Sequence, residues 1–341
     1  LGLRAGIPVA VGGADTQCGL LGAGVVAPGQ LGVVAGTSVP LLQVTDRPLL
    51  DGEGRLWGVH HVLPGRWALE SNAGVAGEAL EWIAELLYPE FEHPILHLTA
   101  EADEAPPGSA GLVSSLGSDV TDARDLRLPI GNLTLNHMTT AGQPRPRRYL
   151  ARSILEGMAC ALRANAERIE AVSGRSAEVL RVTGGLSRNA LLTQIASDVF
   201  DRPVEATAVS EASALGAAIC AGAGAGVFGD LEEGAAAIVR VGREHEPDAE
   251  RSAFYADFYT SWNELRLSRA ASDARASAFA IRALASAATA PETRAGGFRP
   301  RILVAADLDE EGLEALREIG DVEYQSYREA LRLLAGPGLV E

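Results

Sequence analysis

Residues 7–17 read Ile-Pro-Val-Ala-Val-Gly-Gly-Ala-Asp-Thr-Gln, and residues 31–44 read Leu-Gly-Val-Val-Ala-Gly-Thr-Ser-Val-Pro-Leu-Leu-Gln-Val. Both are apolar runs cut by glycine. With the segment between them they predict a strand over 9–11, a turn at Gly12-Gly13-Ala14-Asp15 and a short helix of small residues over 16–25. A strand over 31–35, a turn at Gly36-Thr37-Ser38 and a strand over 41–44 follow. Mixed apolar strands separated by glycine turns suggest a sheet with a ligand at its edge.

The same pattern returns further along. A strand over 179–182 runs into Gly184-Gly185-Leu186-Ser187-Arg188-Asn189, and a helix over 189–200 follows. Apolar positions at helical spacing predict helices over 77–87 and 147–173, and 211–223 reads as a helix of nearly all small residues. Residues 101–111, with Pro106-Pro107-Gly108, read as a loop. Gly222-Ala-Gly-Ala-Gly226 follows a helix and so reads as a helix C-cap, since a dinucleotide phosphate turn must follow a strand. Composition shifts place domain boundaries near 262 and 299. The expected division is a domain over 1–262, an Ala/Arg-rich helical linker over 263–298 and the start of another domain over 299–341. In that last part a strand over 301–306, a helix over 310–319 and a strand over 322–324 are expected. The chain opens at Leu1 and stops soon after a fresh βα pattern begins, so it is expected to be a piece of a longer protein.

Composition excludes several functions. The chain has 341 residues, 47% hydrophobic and 22% charged, in the range of globular domains with their own cores. A formal charge of −16 argues against nucleic acid, whose phosphates call for a basic face. No stretch approaches the roughly 20 apolar residues of a membrane helix. Cys18, Cys160 and Cys220, far apart and without CxxC spacing, predict reduced, buried thiols in a cytoplasmic protein. His93 and His97 sit four apart, but Pro94 between them argues against a metal-binding helix. All 29 basic residues are Arg. Without lysine there is neither a P-loop nor the strand lysine of a protein kinase, and no Schiff base. If ATP binds, backbone amides, hydroxyls and a metal must hold it.

Glycine at the three turns lets a phosphate or a nucleoside approach bare backbone. Asp15, at the mouth of a helix, is suited to take a proton from a substrate hydroxyl in phosphoryl transfer; an Asp there is also the ordinary N-cap. Gly36-Thr37-Ser38 offers amides and hydroxyls to phosphate oxygens, or forms a plain hairpin turn.

In this order Gly-Gly-Ala-Asp-Thr-Gln, Gly-Thr-Ser, Ala-Gly-Glu-Ala-Leu-Glu-Trp, Glu156-Gly157, Gly-Gly-Leu-Ser-Arg-Asn and Glu-Ala-Ser-Ala-Leu-Gly-Ala-Ala resemble the FGGY family of carbohydrate kinases over roughly residues 5–262. The resemblance implies an α/β fold of the actin-like, RNase H-like ATPase type, a mixed sheet flanked by helices. It also implies ATP and Mg²⁺, with Asp15 the catalytic base and Thr16 beside it near the sugar. Gly36, Thr37 and Ser38 match the phosphate turn, Gly77 and Glu81 a nucleotide contact, and Gly184, Gly185 and Asn189 the adenosine site. Glu81 reads equally well as a solvated helix carboxylate. The local pattern, including 61–65 and Glu70, is closest to members that phosphorylate autoinducer-2, with pentulose and deoxysugar kinases near it. Expected partners are a small sugar and a missing N-terminal kinase domain, with a homodimer among the expected assemblies. The tail is similar to the opening of D-2-hydroxyacid dehydrogenases, a flavodoxin-like or Rossmann-like βα unit. Two alternatives follow: a kinase-like module fused to an NAD-dependent dehydrogenase, and a non-catalytic nucleotide-binding module in which Asp15 only caps.

Overall fold

The computed structural model describes residues 6–124, 133–136, 144–289, 301–304, 314, 317 and 321–324. The chain divides into two compact units, Leu1–Ala280 and Ile281–Glu341.

The first unit begins with α1 (Asp15–Gly22), β1 (Leu31–Val34), β2 (Pro40–Thr45), β3 (Trp57–His60) and β4 (Trp67–Asn72). Next come α2 (Ala76–Leu87), α3 (Pro94–Asp103), the short pair β5 (Val113–Ser114) and β6 (Leu135–Asn136), and α4 (Pro146–Ser173). β7 (Leu180–Thr183), α5 (Ala190–Phe200), β8 (Val204–Thr207), α6 (Ala212–Gly224), α7 (Leu231–Ile238), β9 (Val241–His245) and the part of α8 (Ala249–Thr289) up to Ala280 complete the order. α8 runs without a break through position 262.

Seven strands form one mixed sheet in the order β3-β4-β2-β1-β7-β8-β9. β1, β7 and β8 run parallel, while β3, β4, β2 and β9 pair antiparallel with their neighbours. Alternation along β2 sends Leu42 and Val44 toward α1 and Leu41 toward α4. The sheet is thus packed on both faces, with α1, α6 and α7 on one side and α2, α3, α4 and α5 on the other. Because three central strands are parallel, their carboxyl ends open on one edge, the place where open α/β sheets bind ligands.

Most expected elements form within a residue or two. The strand expected over 9–11 does not. Residues 7–14 enter no ladder, and Val9 and Val11 are 93% and 95% exposed. β-branched residues favour strands through neighbours they can pair with, and none of the described residues pairs with this run. Ala10 turns instead toward α6, where a Cβ on Gly224 would lie 2.6 Å from its own Cβ. The expected small-residue helix is shorter than 16–25, ending at Gly22. Pro94 does not break a helix but begins one. It occupies the first turn of α3, where its missing N–H costs nothing.

In the second unit β10 (Arg301–Val304) and β11 (Asp321–Tyr324) pair in parallel, register Arg301↔Asp321 to Val304↔Tyr324. The helix expected over 310–319 lies outside the described residues except at 314 and 317, which are both helical.

Candidate active site

The carboxyl ends of β1, β7 and β8 each run into a glycine or hydroxyl-bearing turn. The Ala35 N–H donates to the Thr183 carbonyl at 2.7 Å, and the Gly184 N–H donates to the Ser210 carbonyl at 3.1 Å, so the three turns are laced together. Gly184 holds φ +91, and a Cβ there would lie 2.4 Å from the Ala35 carbonyl oxygen, so only glycine fits. The Gly77 N–H donates to the Thr37 carbonyl at 3.1 Å, and a Cβ on Gly77 would stand 2.1 Å from the Gly36 carbonyl oxygen. That glycine lets the start of α2 lie directly on the Gly36-Thr37 turn.

Two adjoining cavities result. One of about 410 Å³ is lined by Asp15, Thr16, Gly36, Thr37, Ser38, Gly184 and Gly185, with Thr183, Ser210, Glu211 and Ser213 among the rest. The other, about 620 Å³, is lined by Gly36, Thr37, Gly77, Leu80, Glu81, Ile95, Leu96, Thr99, Gly185, Arg188 and Asn189. Gly36, Thr37 and Gly185 line both, so Asp15, Thr16, Gly36, Thr37, Ser38, Gly77, Glu81, Gly184, Gly185 and Asn189 all border one continuous cleft. A further cavity of about 470 Å³ sits at the amino ends of the same strands, around Leu31, Arg181 and Glu205. Its arginines are already engaged: Arg181 pairs with Glu205, and Arg175 with Asp46.

Asp15 is not the N-cap of α1. Ala14 holds that position and makes no side-chain cap, while Asp15 is the first helical residue and is exposed. Its Oδ1 accepts from the Thr16 N–H at 2.8 Å. The amides of Thr37 and Ser38 have no protein acceptor among the described residues. Gly185 meets nothing where a Cβ would stand, so its backbone lies bare in the cleft. Asn189, in contrast, is 9% exposed and committed. Its Oδ1 caps α5 by accepting from the Leu192 N–H at 3.0 Å, and its Nδ2 donates to Thr99 Oγ1 in α3 at 2.9 Å. Glu81 is exposed at the rim.

Sequence reasoning missed several lining residues. Leu96 and Thr99 come from α3, whose start at Pro94 was the available signal. Among the described residues, Arg188 is the one basic residue lining either cavity. Glu70 on β4 was noticed only as part of a pattern. Burial pushes its carboxyl up to about 7, and the nearby charge of Asp15 adds to the shift. It shares with Ala68 the sheet face that packs on α1. His61 is structural: its Nδ1 accepts from the Leu63 N–H at 3.1 Å, its Nε2 lies 3.1 Å from the Val25 carbonyl, and burial lowers its pKa. His97 stacks on Phe91, and no group of three metal-ligating side chains occurs among the described residues.

The model of the FGGY family of carbohydrate kinases, C-terminal domain, matches residues 31–225. The chain belongs to the FGGY family of carbohydrate kinases. Autoinducer-2 kinase of Salmonella paratyphi B is 33% identical over 268 residues, covering 76% of this chain and 50% of that protein. The chain therefore spans about half the length of the curated relatives it matches. Xylulose kinase from Rhodospirillum rubrum superposes with a TM-score of 0.67 at 27% identity, over 80% of this chain and 54% of the other. Glycerol kinase from Plasmodium falciparum, solved with ADP, gives 0.61 at 20% identity, over 75% and 50%. The mixed sheet flanked by helices is the fold of these FGGY kinases, the actin-like ATPase fold.

Proposed function

We propose that this chain is the ATP-binding, Asp15-bearing part of a sugar kinase of the autoinducer-2 or pentulose class, working with an N-terminal domain that carries most of the sugar site. The observation that carries the reading is the cleft itself, where the Gly36 turn, the Gly184–Gly185 turn, the Ser210 turn and the Asp15 carboxylate meet. In it Asp15 takes the proton of a sugar hydroxyl as that oxygen attacks the γ-phosphorus in line and ADP leaves. Thr16 lies beside the hydroxyl. The free amides of Thr37 and Ser38 receive phosphate oxygens, and the bare backbone at Gly184 and Gly185 faces the adenosine. Gly77, Glu81 and Asn189 border the nucleoside side, Asn189 by holding α3 against α5.

The residues present fit Mg-ATP. The donors are uncharged amides and hydroxyls, and Mg²⁺ takes one or two carboxylates plus phosphate oxygens and waters, so no protein cage is required. Bound there, Mg²⁺ supplies charge neutralisation on the transferring phosphoryl group. The free, buried thiols suit the cytoplasm.

Calorimetry of Mg-ATP with the parent and with Gly185→Val tests the reading. A Cβ at position 185 enters open space, so the variant fills the cleft and leaves the fold intact. Binding by the parent that is lost in the variant is expected. Equal binding by both would place the nucleotide elsewhere.

For the second unit, the parallel β10–β11 pair favours a βαβ unit, and we read residues 299–341 as the opening of a D-2-hydroxyacid dehydrogenase-like domain. A strand followed by Gly-x-Gly-x-x-Gly in the sequence beyond residue 341 is the test.

A further inference from the structure

Two of the three cysteines meet directly beneath the Asp15 turn. Cys18 on α1 is 4% exposed and Cys220 on α6 is 6% exposed. A Cβ built on Gly12 would lie 3.3 Å from the Cys18 sulfur and 3.5 Å from the Cys220 sulfur, so both thiols face the same point. The Gly13 N–H donates to Cys18 Sγ at 3.3 Å, which joins the thiol to the turn that carries Asp15. Small residues bring the two helix backbones unusually close. A Cβ on Gly216 would be 1.9 Å from the Cys18 carbonyl oxygen, and one on Gly22 would be 1.9 Å from the Ala212 carbonyl oxygen. A disulfide needs Cα atoms no more than about 7 Å apart, which helices at ordinary spacing rarely offer. Against the pair lies the Gly12–Gly13 turn, exposed and without side chains.

We propose that Cys18 and Cys220 form a dithiol that a small peroxide oxidises to a disulfide, fastening α1 to α6 and stiffening the turn that holds Asp15. One thiolate attacks the peroxide. Its S–O bond forms as the O–O bond breaks, and a sulfenic acid and one water result. The other thiol then attacks that sulfur, the S–S bond forms, and a second water leaves. Two electrons pass from the two sulfurs to the peroxide oxygens, and a dithiol reductant reverses the change. Burial raises the Cys220 thiol pKa, which suits Cys220 to the resolving role, with Cys18 the thiol oxidised first. Cys160, wholly buried in α4, stands apart as an internal control.

Peroxide treatment of the full chain, followed by thiol titration after unfolding, tests the idea. The titre is expected to fall from three thiols per chain to one. Trypsin, with arginine as its only target in this chain, leaves the three cysteines on separate peptides, and the Cys18 and Cys220 peptides should be found joined. Cys220→Ser should stop at a sulfenic Cys18 that dimedone traps. Hydrogen exchange at residues 12–16 should slow in the oxidised chain and recover with dithiothreitol. Three remaining thiols, a sulfonic acid on a single cysteine, or cross-linked chains would overturn the disulfide. A disulfide with unchanged exchange at 12–16 would overturn the stiffened turn. None of these readouts depends on nucleotide or sugar binding.

Discussion

Asp15 lies near enough to Glu70 for its charge to raise the Glu70 carboxyl's pKa, and each residue carries a prediction. Asp15 is exposed, first in its helix and not its cap, so removing its charge should leave the fold untouched. In the full-length protein Asp15→Asn is expected to lower the rate of sugar phosphorylation by about 10²–10⁴-fold, the span of a lost general base, with the melting temperature unchanged. A fall in melting temperature with a preserved rate would return Asp15 to a structural role. Glu70 titrates in the folded chain near 7, above its ordinary 4.5, because burial disfavours the carboxylate. The folded state therefore holds this proton more tightly than the unfolded chain. Its contribution is fully present below pH 4.5 and is lost as pH rises through 7, by about 3 kcal/mol at most. Glu70→Gln should thus gain stability relative to the parent at pH 8 and little at pH 4.5, as read by urea unfolding at the two values. A difference independent of pH would mean that Glu70 stays ionised.

Among the elements, the α1–α6 pair is held by backbone proximity more than by side chains. The two helices supply only a few buried apolar groups, Leu20, Leu21 and Ile219 among them. Gly216→Ala would force a methyl onto the Cys18 carbonyl and push the helices apart, at a cost of about 1–3 kcal/mol. Thermal unfolding should show this as a drop of several degrees, whereas Gly185→Ala, which meets nothing, should leave the transition where it is. An unchanged melting temperature for Gly216→Ala would mean that the contact is loose. The small-residue composition of 211–223 was visible in the sequence and implied close approach. Which helix it approached was not, because the partner lies almost two hundred residues away. α3 shows the opposite case. Its proline looked like a breaker when read as a local signal, yet at the first turn of a helix a proline starts it.

At the scale of the whole first unit, one buried network ties distant parts together. Glu156 of α4 is fully buried. Its Oε1 accepts from the Gly108 N–H at 2.7 Å, Arg152 Nε at 3.0 Å and the Tyr255 hydroxyl at 2.8 Å, and its Oε2 accepts from Ser109 at 2.8 Å. It joins α4, the loop at 106–111 and α8. Glu156→Ala leaves Arg152 buried without its partner and should cost about 3–5 kcal/mol. Chemical denaturation would check this, and a loss under 1 kcal/mol would mean that solvent reaches the site. What the sequence by itself determined was local: the strands and glycine turns at 31–38 and 180–185, the helices after Asp15 and Asn189, the mixed αβ class and the absence of lysine chemistry. These follow from φ freedom, hydrophobic period and residue type, which are properties of short segments. Only the tertiary structure decided that 9–11 stays unpaired, that Leu96, Thr99 and Arg188 line the larger cavity of the cleft, that Asn189 spends its amide on α3 and α5, and that Cys18 meets Cys220. Each of these depends on burial and on partners far away in the chain, and no short window of sequence contains that information.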